Sequence, residues 1–338
     1  MVPEILFLKQ EDVLNAGLMD MDGVLKMVEK AYFMYAEGEI KNPPKTMISL
    51  DSDEGVWKSR FMSMPVYIGG DINRAGIKWA AESTLNQKTG LLPMGIDMVV
   101  LSDPDTVLPV AIMDGTLITA MRTGASMAVA AKYLAKPDAK TAGCIGAGII
   151  GRTTIWALSK VLNQLEKVKL FDLNIKKSQE LFEEFKGKVN IEIAGSVEEA
   201  VKDADVVITM TTSQKPFVKK EWVNRARLFL QVGSFEAHEE IPAGADRIVV
   251  DDWEPIKYDP FSVFQPLIKS GKLRDEDVTP LYNIISKKSP GREGDEFIFF
   301  KSRGMGCLDI MVADYIYRRA KDLGIGKILH LWDSPKWV

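Results

Sequence analysis

The segment that decides the fold reads Ala-Gly-Cys-Ile-Gly-Ala-Gly-Ile-Ile-Gly and spans residues 142–151. An apolar strand pattern leads directly into a G-x-G-x-x-G motif, Gly146–Gly151, which opens a helix pattern. In this context the first glycine allows a tight turn, the second lets a pyrophosphate approach the backbone, and the third lets the helix pack close to the strand. The helix N-terminus then offers N–H groups and the positive end of its dipole to phosphate. The segment therefore predicts a dinucleotide-binding turn.

An acidic residue, Asp172, ends the next predicted strand, 21 positions after Gly151. A carboxylate at this place accepts hydrogen bonds from the adenosine ribose and repels a 2′-phosphate, so it predicts NAD as the cofactor. Lys176 and Lys177 follow closely and leave NADP open.

From Ala142 onward, strand patterns alternate with helix patterns, which predicts βαβ units and a doubly wound parallel sheet. The strands are predicted at Ala142–Ile145, Val168–Asp172, Ile191–Ala194, Val206–Met210, Leu228–Val232 and Arg247–Val250. The intervening helices are predicted at Ile149–Leu162, Lys176–Phe185 and Val197–Lys202.

The chain before residue 120 has a different pattern, in which turns with Gly, Pro, Asn or Asp separate short extended runs. It predicts a mostly antiparallel α+β region with one or two helices, one of them at Met21–Glu37. Strands are predicted at Glu4–Leu8, Thr46–Ser49, Arg60–Met64, Ala75–Trp79, Gly95–Leu101 and Val107–Met113. Further helices are predicted at Thr123–Leu134 and, near the C-terminus, at Leu308–Leu323.

The composition is that of an ordinary globular protein, with 46% apolar and 27% charged residues in 338. This length predicts two domains, at about 150 residues for each. With 43 basic and 47 acidic residues the net charge is −4, which gives no global sign of nucleic-acid or membrane binding.

Cysteine and histidine are scarce, with two of each. Two cysteines far apart, Cys144 and Cys307, exclude a disulfide framework and predict reduced, buried thiols in a cytoplasmic protein. Two histidines exclude a His-rich metal site, and no metal is predicted. Charged residues interrupt every apolar run near the N-terminus, so neither a signal peptide nor a membrane span is expected.

Two cations stand in apolar surroundings. Lys78 lies in the strand pattern Gly76-Ile77-Lys78-Trp79, where an unpaired lysine is costly to bury, so it either faces water at an edge or serves a ligand. Arg122 is expected to open a helix among small residues. An arginine near a helix N-terminus is well placed to bind the carboxylate of a ligand. An arginine that caps the helix or forms a salt bridge fits the spacing equally well.

The sequence resembles the ornithine cyclodeaminase/mu-crystallin family over nearly its whole length. The resemblance rests on four motifs: Gly76–Trp79, the D-G-T-x-I-T-x-x-R-T-G-A run Asp114–Ala125, the glycine motif Gly146–Gly151, and Phe299–Gly304 followed by Asp309. It implies a substrate-binding and dimerisation domain (1–125 and 315–338) and a Rossmann domain (126–314). It also implies a homodimer.

The resemblance also implies roles for individual residues. Lys45, Lys78 and Arg122 would hold the substrate carboxylate, with Lys45 a departure because many members have arginine there. Met62 is expected in the substrate pocket. The cofactor residues would be Thr123, Gly146, Ala147, Gly148, Ile149, Ile150, Gly151, Asp172, Thr211 and Gly304.

Two departures count against ornithine as the substrate. Cyclodeaminases carry an acidic group two positions before a Met-Pro pair, where this chain has Met62, and another just after a strand-ending Val-Gly-Gly, where the carboxylate here appears one place later as Glu236. A siderophore-pathway subgroup that acts on N-substituted amino acids is a better match, at Met64–Gly70, Val249–Trp253 and Ser289–Glu296.

The prediction is therefore an NAD-dependent oxidoreductase acting on an α-amino or imino acid, in the direction of oxidative deamination or of imine reduction. Glu236 or Lys78 is predicted to take the amine proton, because the hydride leaves only from a neutral amine. We expect Lys78, Arg122 and Glu236 to converge beside the nicotinamide. The alternatives are an ornithine cyclodeaminase and a non-catalytic, mu-crystallin-like binder of nucleotide and ligand.

Overall fold

The computed structural model of the chain describes residues 2–51 and 57–337. Its strands, numbered along the chain, are β1 (Glu4–Leu8), β2 (Ile40–Lys41), β3 (Thr46–Leu50), β4 (Ser59–Ile68), β5 (Arg74–Ser83), β6 (Gly95–Ser102), β7 (Pro109–Asp114), β8 (Thr141–Ile145), β9 (Lys167–Phe171), β10 (Ile191–Ile193), β11 (Val206–Thr209), β12 (Leu228–Gln231), β13 (Arg247–Val250), β14 (Val278–Pro280), β15 (Ile298–Lys301) and β16 (Lys327–His330).

The helices are α1 (Gln10–Val13), α2 (Met21–Ala36), α3 (Thr84–Thr89), α4 (Thr116–Leu134), α5 (Ile149–Val161), α6 (Ile175–Phe185), α7 (Val197–Val201), α8 (Glu240–Ala243), α9 (Trp253–Lys257), α10 (Gln265–Lys269), α11 (Leu281–Ile285) and α12 (Gly306–Leu323). A π-helical turn, Leu14–Leu18, and two 3₁₀ turns, Lys220–Trp222 and Asp275–Asp277, complete the set. Among the described helices, none combines the length and apolar composition needed to cross a membrane.

The chain divides into two compact units. The first unit comprises Met1–Arg122 and Met305–Val338, and the second comprises Thr123–Gly304. These limits differ from the predicted domain limits mainly at the C-terminal side, because α12 belongs as a whole to the first unit. The reason is packing: α12 contacts α2, β4, β5 and β6.

The first unit is built on a sheet with the strand order β16-β1-β7-β6-β5-β4-β2, and β3 also pairs with β4. Its pairs are antiparallel except β1 with β7, which are parallel. Side chains alternate between the two faces, as the strand period requires. On the covered face lie Met62, Lys78, Asp97 and Val99, all buried.

The second unit holds an all-parallel sheet with the order β10-β9-β8-β11-β12-β15-β13-β14. The chain runs from β8 to β10 in one direction and from β11 onward in the other, which is the doubly wound, Rossmann-type arrangement that the alternation predicted. The sequence pattern missed β14 and β15. The run Ile298–Lys301 is a central strand, buried at every position, so a continuous apolar run was its only signal.

Helix α4 starts earlier than the predicted residue 123. The Asp114 carboxylate accepts hydrogen bonds from the backbone N–H groups of Thr116 (3.3 Å) and Leu117 (3.4 Å) and so fixes the helix start there. Arg122 consequently lies well inside the helix, and the prediction that it opens the helix is wrong.

Candidate active site

The glycine turn is held by close backbone approaches in the second unit. Gly146 has φ = 110°, and a Cβ on it would lie 2.5 Å from the Met210 carbonyl oxygen at the end of β11. A Cβ on Gly151 would overlap the Gly146 carbonyl oxygen. Any side chain at either position would therefore push β8, β11 and α5 apart.

Gly148 differs from its two partners. It precedes the first residue of α5, and a Cβ built on it would meet no atom within 4 Å. The backbone there borders open space at a helix N-terminus, where free N–H groups and the helix dipole favour an anion. This cradle fits the diphosphate of a dinucleotide, which a side chain at Gly148 would obstruct.

The carboxylate of Asp172 lies directly after β9 and contacts the glycine turn. Its Oδ2 accepts a hydrogen bond from the Ala147 N–H (2.8 Å), and its Oδ1 accepts one from the Asn174 N–H (2.8 Å). Each oxygen has a second lone pair, so the carboxylate keeps capacity for ribose hydroxyls. Because β8 and β9 are parallel neighbours, the turn and this carboxylate share one sheet edge.

The other predicted cofactor residues lie in the same unit. Thr211 follows β11, and Gly304 follows β15 in the left-handed conformation (φ = 79°). The buried Asp251 carboxylate holds this last loop, because its Oδ2 accepts hydrogen bonds from the Ser302 hydroxyl (2.7 Å) and from the Arg303 and Gly304 N–H groups (2.8 and 2.7 Å). Thr123 lies on α4, and Ile149 and Ile150 form the first turn of α5.

Glu236 is fully buried in the second unit. Its Oε2 accepts hydrogen bonds from the Thr209 hydroxyl (2.9 Å) and the Gly233 N–H (2.7 Å), and its Oε1 accepts a short one from the Thr211 N–H. Burial raises the pKa of Glu236, against the lowering effect of these hydrogen bonds. The carboxylate therefore connects the end of β11 to the turn after β12 through hydrogen bonds. The sequence did not indicate this structural role.

Lys301 supports the same turn and was not predicted as a site residue. Its Nζ donates hydrogen bonds to the carbonyl oxygens of Val232 (2.9 Å), Gly233 (2.9 Å) and Ser302 (2.7 Å). Burial lowers the pKa of Lys301 to about 8, against the raising effect of Glu236. A lysine at the end of a buried strand was the available signal, since such a charge needs partners.

In the first unit, the two predicted cations share one carboxylate. Asp309, fully buried on α12, accepts hydrogen bonds on Oδ1 from Lys78 Nζ (3.0 Å) and Arg122 Nε (2.9 Å). Burial alone would raise the pKa of Asp309, but Arg122 and Lys78 hold it below its ordinary value. Both cations are therefore salt-bridged, and they converge on a single carboxylate group.

A second acid, Asp97 on β6, belongs to this cluster and was not predicted. Its Oδ2 lies 3.7 Å from Lys78 Nζ and accepts a hydrogen bond from the Thr119 hydroxyl. Burial raises the pKa of Asp97, although Lys78 and Thr119 oppose that rise. An aspartate at a covered position of an otherwise apolar strand, in line with Val99 and Leu101, was a signal in the sequence.

The remaining predicted substrate residues lie in the first unit as well. Met62 is buried on β4, two strands from Asp97 in the sheet, and Lys45 is half-buried just before β3. Lys45, Met62, Lys78 and Arg122 therefore belong to one unit, and Glu236 belongs to the other. Their shared site stays a prediction.

Comparison with known proteins identifies the family of the chain. The profile of the ornithine cyclodeaminase/mu-crystallin family matches residues 4–324. The chain belongs to this family. The ornithine cyclodeaminase/mu-crystallin family was the one that the four sequence motifs indicated, so the resemblance is confirmed.

Three relatives match this chain over nearly its whole length. The N-((2S)-2-amino-2-carboxyethyl)-L-glutamate dehydrogenase of Staphylococcus aureus is 29% identical over 97% of this chain and 99% of that protein. The structure of Thermococcus litoralis Δ1-pyrroline-2-carboxylate reductase with NADH and L-proline matches with a TM-score of 0.88 and 32% identity, covering 96% of this chain and 99% of that one. An archaeal alanine dehydrogenase dimer with bound NAD matches at 0.86 and 30%, covering 97% and 100%.

A side chain at Gly148 should affect NAD binding and not the stability of the free protein. Gly148→Ala should leave the thermal unfolding midpoint of the free protein nearly unchanged, because the new methyl group enters open space. It should weaken NAD binding by about tenfold or more, since the methyl group occupies the place of a phosphate oxygen. Calorimetric titration with NAD and a thermal melt measure the two effects.

Gly151→Ala is the matched contrast, because its Cβ would overlap the Gly146 carbonyl oxygen. This variant should lose stability even without NAD. Equal NAD affinity in wild type and Gly148→Ala would contradict the assignment of the cradle.

Proposed function

We propose that this protein is an NAD-dependent oxidoreductase that acts on an α-amino or imino acid. The observation that carries the proposal is the convergence of Lys78 and Arg122 on one buried carboxylate, that of Asp309, because two cations arranged around one carboxylate group support the binding of a second one from a substrate. The glycine cradle and Asp172 support the choice of NAD. The relatives act on related compounds, as their names state: an N-substituted glutamate, a cyclic imino acid and alanine.

Hydride transfer between NAD and an amino or imino acid requires a cofactor site and a site for the substrate carboxylate. NAD, when bound by the glycine turn and Asp172, supplies the hydride acceptor in oxidation and, as NADH, the donor in reduction. Lys78 and Arg122 hold the substrate carboxylate and thereby orient the α-carbon. Oxidation removes a hydride from that carbon and a proton from the neutral nitrogen, which leaves an imine that water hydrolyses to the oxo acid and ammonia. In the reductive direction, the imine takes up the hydride and a proton.

The test of the proposal is a panel of amino acids with NAD and of oxo acids with ammonia and NADH, followed by absorbance at the reduced-nicotinamide band. Turnover with at least one member is expected. Ring closure of ornithine or lysine without net change in NADH would instead indicate a cyclodeaminase. Ligand binding with no turnover anywhere in the panel would indicate the non-catalytic alternative.

A preference for NAD over NADP is expected, by about tenfold or more in affinity, which corresponds to about 1.4 kcal/mol. The Asp172 carboxylate is bonded to the glycine turn, and in the proposed place beside the ribose it would repel a 2′-phosphate. Asp172→Ala should reduce the ratio of NAD affinity to NADP affinity, and Asp172→Asn should reduce it as well. The Asn variant should bind NAD more tightly than the Ala variant, because its side-chain oxygen still accepts a hydrogen bond from the Ala147 N–H. NADPH binding that equals NADH binding in the wild type would refute this expectation.

Removal of either cation should impair catalysis. Lys78→Met or Arg122→Met should lower kcat/KM by roughly 30- to 1000-fold, or about 2–4 kcal/mol, because the substrate carboxylate loses a charge-assisted bond in a buried place. Arg74→Met is the matched control, since Arg74 on β5 forms a comparably buried ion pair with Asp314 on α12 (2.8 Å). It should cost stability and leave kcat/KM within about threefold of wild type. Similar kcat/KM losses in all three variants would mean that the ion pairs serve stability alone.

Glu236 needs a test of its own, because the predicted proton acceptor is fully buried and accepts three hydrogen bonds from its own unit. We infer a positioning role. In Glu236→Gln an amide nitrogen would face a backbone N–H donor, so thermal stability and NAD affinity should fall together with kcat. A fall in kcat with unchanged NAD affinity and stability would instead support the predicted proton acceptor.

The uncovered face of the first sheet supports a homodimer. Its exposed side chains are largely apolar, namely Ile48, Leu50, Trp79, Ile96 and Met98, and Phe61 stacks on Trp79 with ring centroids 5.9 Å apart. The same face carries a cleft of about 410 Å³ lined partly by Pro65, Tyr67, Ile77 and Val100. A continuous apolar sheet face of this kind marks an interaction surface. We assign it to a second copy of the chain, because the archaeal alanine dehydrogenase that this chain resembles is a dimer.

Light scattering at micromolar concentration should therefore give about twice the monomer mass of 37.6 kDa. The double variant Trp79→Asp, Met98→Asp should shift the protein to monomer, because two carboxylates would be desolvated in the interface. Tyr258→Asp, at an exposed aromatic residue of the second unit, should not. A wild type with the monomer mass would refute the dimer.

A further inference from the structure

The cluster in the first unit contains charges of both signs. Lys78 and Arg122 are positive, and Asp97 and Asp309 are negative in their ionised forms, so the formal charges cancel. Asp309 already neutralises much of the field of both cations. A substrate carboxylate that enters this cluster would therefore meet Asp97 as a second, like-charged neighbour.

Exposure differs among the four side chains. Asp309 is 0% exposed and Lys78 is 2% exposed, whereas Arg122 and Asp97 are 6% and 8% exposed. The two most accessible groups of the cluster thus have opposite charges. A ligand that contacts both needs a carboxylate for Arg122 and a cationic group for Asp97.

The hydrogen bonds of the cluster also favour a ligand that carries a nitrogen group. The Oδ2 atom of Asp309 is buried and has no hydrogen-bond partner among the described residues. A buried acceptor without a donor is costly, at about 1–3 kcal/mol. The cluster therefore holds more acceptors than its own donors satisfy, so a further N–H donor is favoured in it over a further oxygen.

We propose that Asp97 is a specificity-determining residue, which selects ligands with a cationic nitrogen beside the carboxylate against the corresponding 2-oxo acids. The inference rests on the proposed binding of the substrate carboxylate by Lys78 and Arg122. Asp97 Oδ2 lies 3.7 Å from Lys78 Nζ, so a carboxylate on the lysine places its α-nitrogen within reach of Asp97. An amino acid zwitterion adds no net charge to the cluster, whereas a 2-oxo acid adds one negative charge in a buried place.

The raised pKa of Asp97 agrees with this role. Burial raises it, and Asp309 raises it further, while Lys78, Thr119 and Arg122 lower it. A carboxylate in this situation gains from a cationic neighbour, which the nitrogen of an amino acid or iminium ligand supplies.

The experiment compares matched ligand pairs, L-alanine with pyruvate and L-glutamate with 2-oxoglutarate, on the protein saturated with NADH in the absence of ammonia. Binding is followed by calorimetry in wild type, Asp97→Asn, Asp97→Ser and Asp97→Glu. Asp71→Asn, which removes an exposed acid of the same unit that pairs with Lys30, controls for net charge. A thermal melt of each variant shows that it is folded.

The wild type should bind the amino acid of a pair about tenfold or more tightly than the oxo acid. The two neutral variants should lose most of this preference, chiefly through tighter oxo acid binding, while Asp97→Glu and Asp71→Asn should retain it. A wild type without preference would overturn the inference with no need of a variant. A preference that persists in both neutral variants would overturn it while leaving the proposed function intact. Failure of all four ligands to bind, together with no turnover and no binding anywhere in the substrate panel, would overturn the proposed function itself.

Discussion

The constraint on which the first unit depends is the burial of two cations. Lys78 on β5 and Arg122 on α4 are both nearly inaccessible to water, and an isolated ion there would cost several kcal/mol, by a rough estimate. Asp309 supplies the compensating carboxylate from the far end of the chain. This interaction helps to explain why α12 returns to the N-terminal segment and why that unit is discontinuous in sequence.

Backbone geometry plays the corresponding part in the second unit. The parallel strands direct their carboxyl ends to one edge, and the chain reverses its winding direction between β8 and β11. Gly146 can approach the end of β11 closely only because it has no side chain. Buried side chains then fix the loops at that edge: Glu236 and Lys301 hold the turn after β12, and Asp251 holds the loop after β15.

Buried charges thus recur in both units with different tasks. In the second unit each buried charge contacts mainly backbone groups, so it orders loops. In the first unit the buried charges contact one another, and one acceptor, Asp309 Oδ2, stays without a partner among the described residues. We connect the spare acceptor of the first cluster with ligand binding, and the backbone contacts of the charges in the second unit with the order of its loops.

The amino-acid sequence was enough to predict the doubly wound sheet, the glycine turn with Asp172, the antiparallel first region and the family, because these rest on local periodicity and on motifs contiguous in the chain. It missed β15, since a fully buried strand lacks alternation, and it placed the start of α4 too late because Asp114 caps the helix from outside its periodic run. The three-dimensional packing was needed to show that Lys78 pairs with both Asp97 and Asp309 and that Arg122 pairs with Asp309. It was also needed to show that Glu236 is enclosed by its own loop. Those contacts join residues far apart in the chain, and no local pattern specifies which buried charge pairs with which.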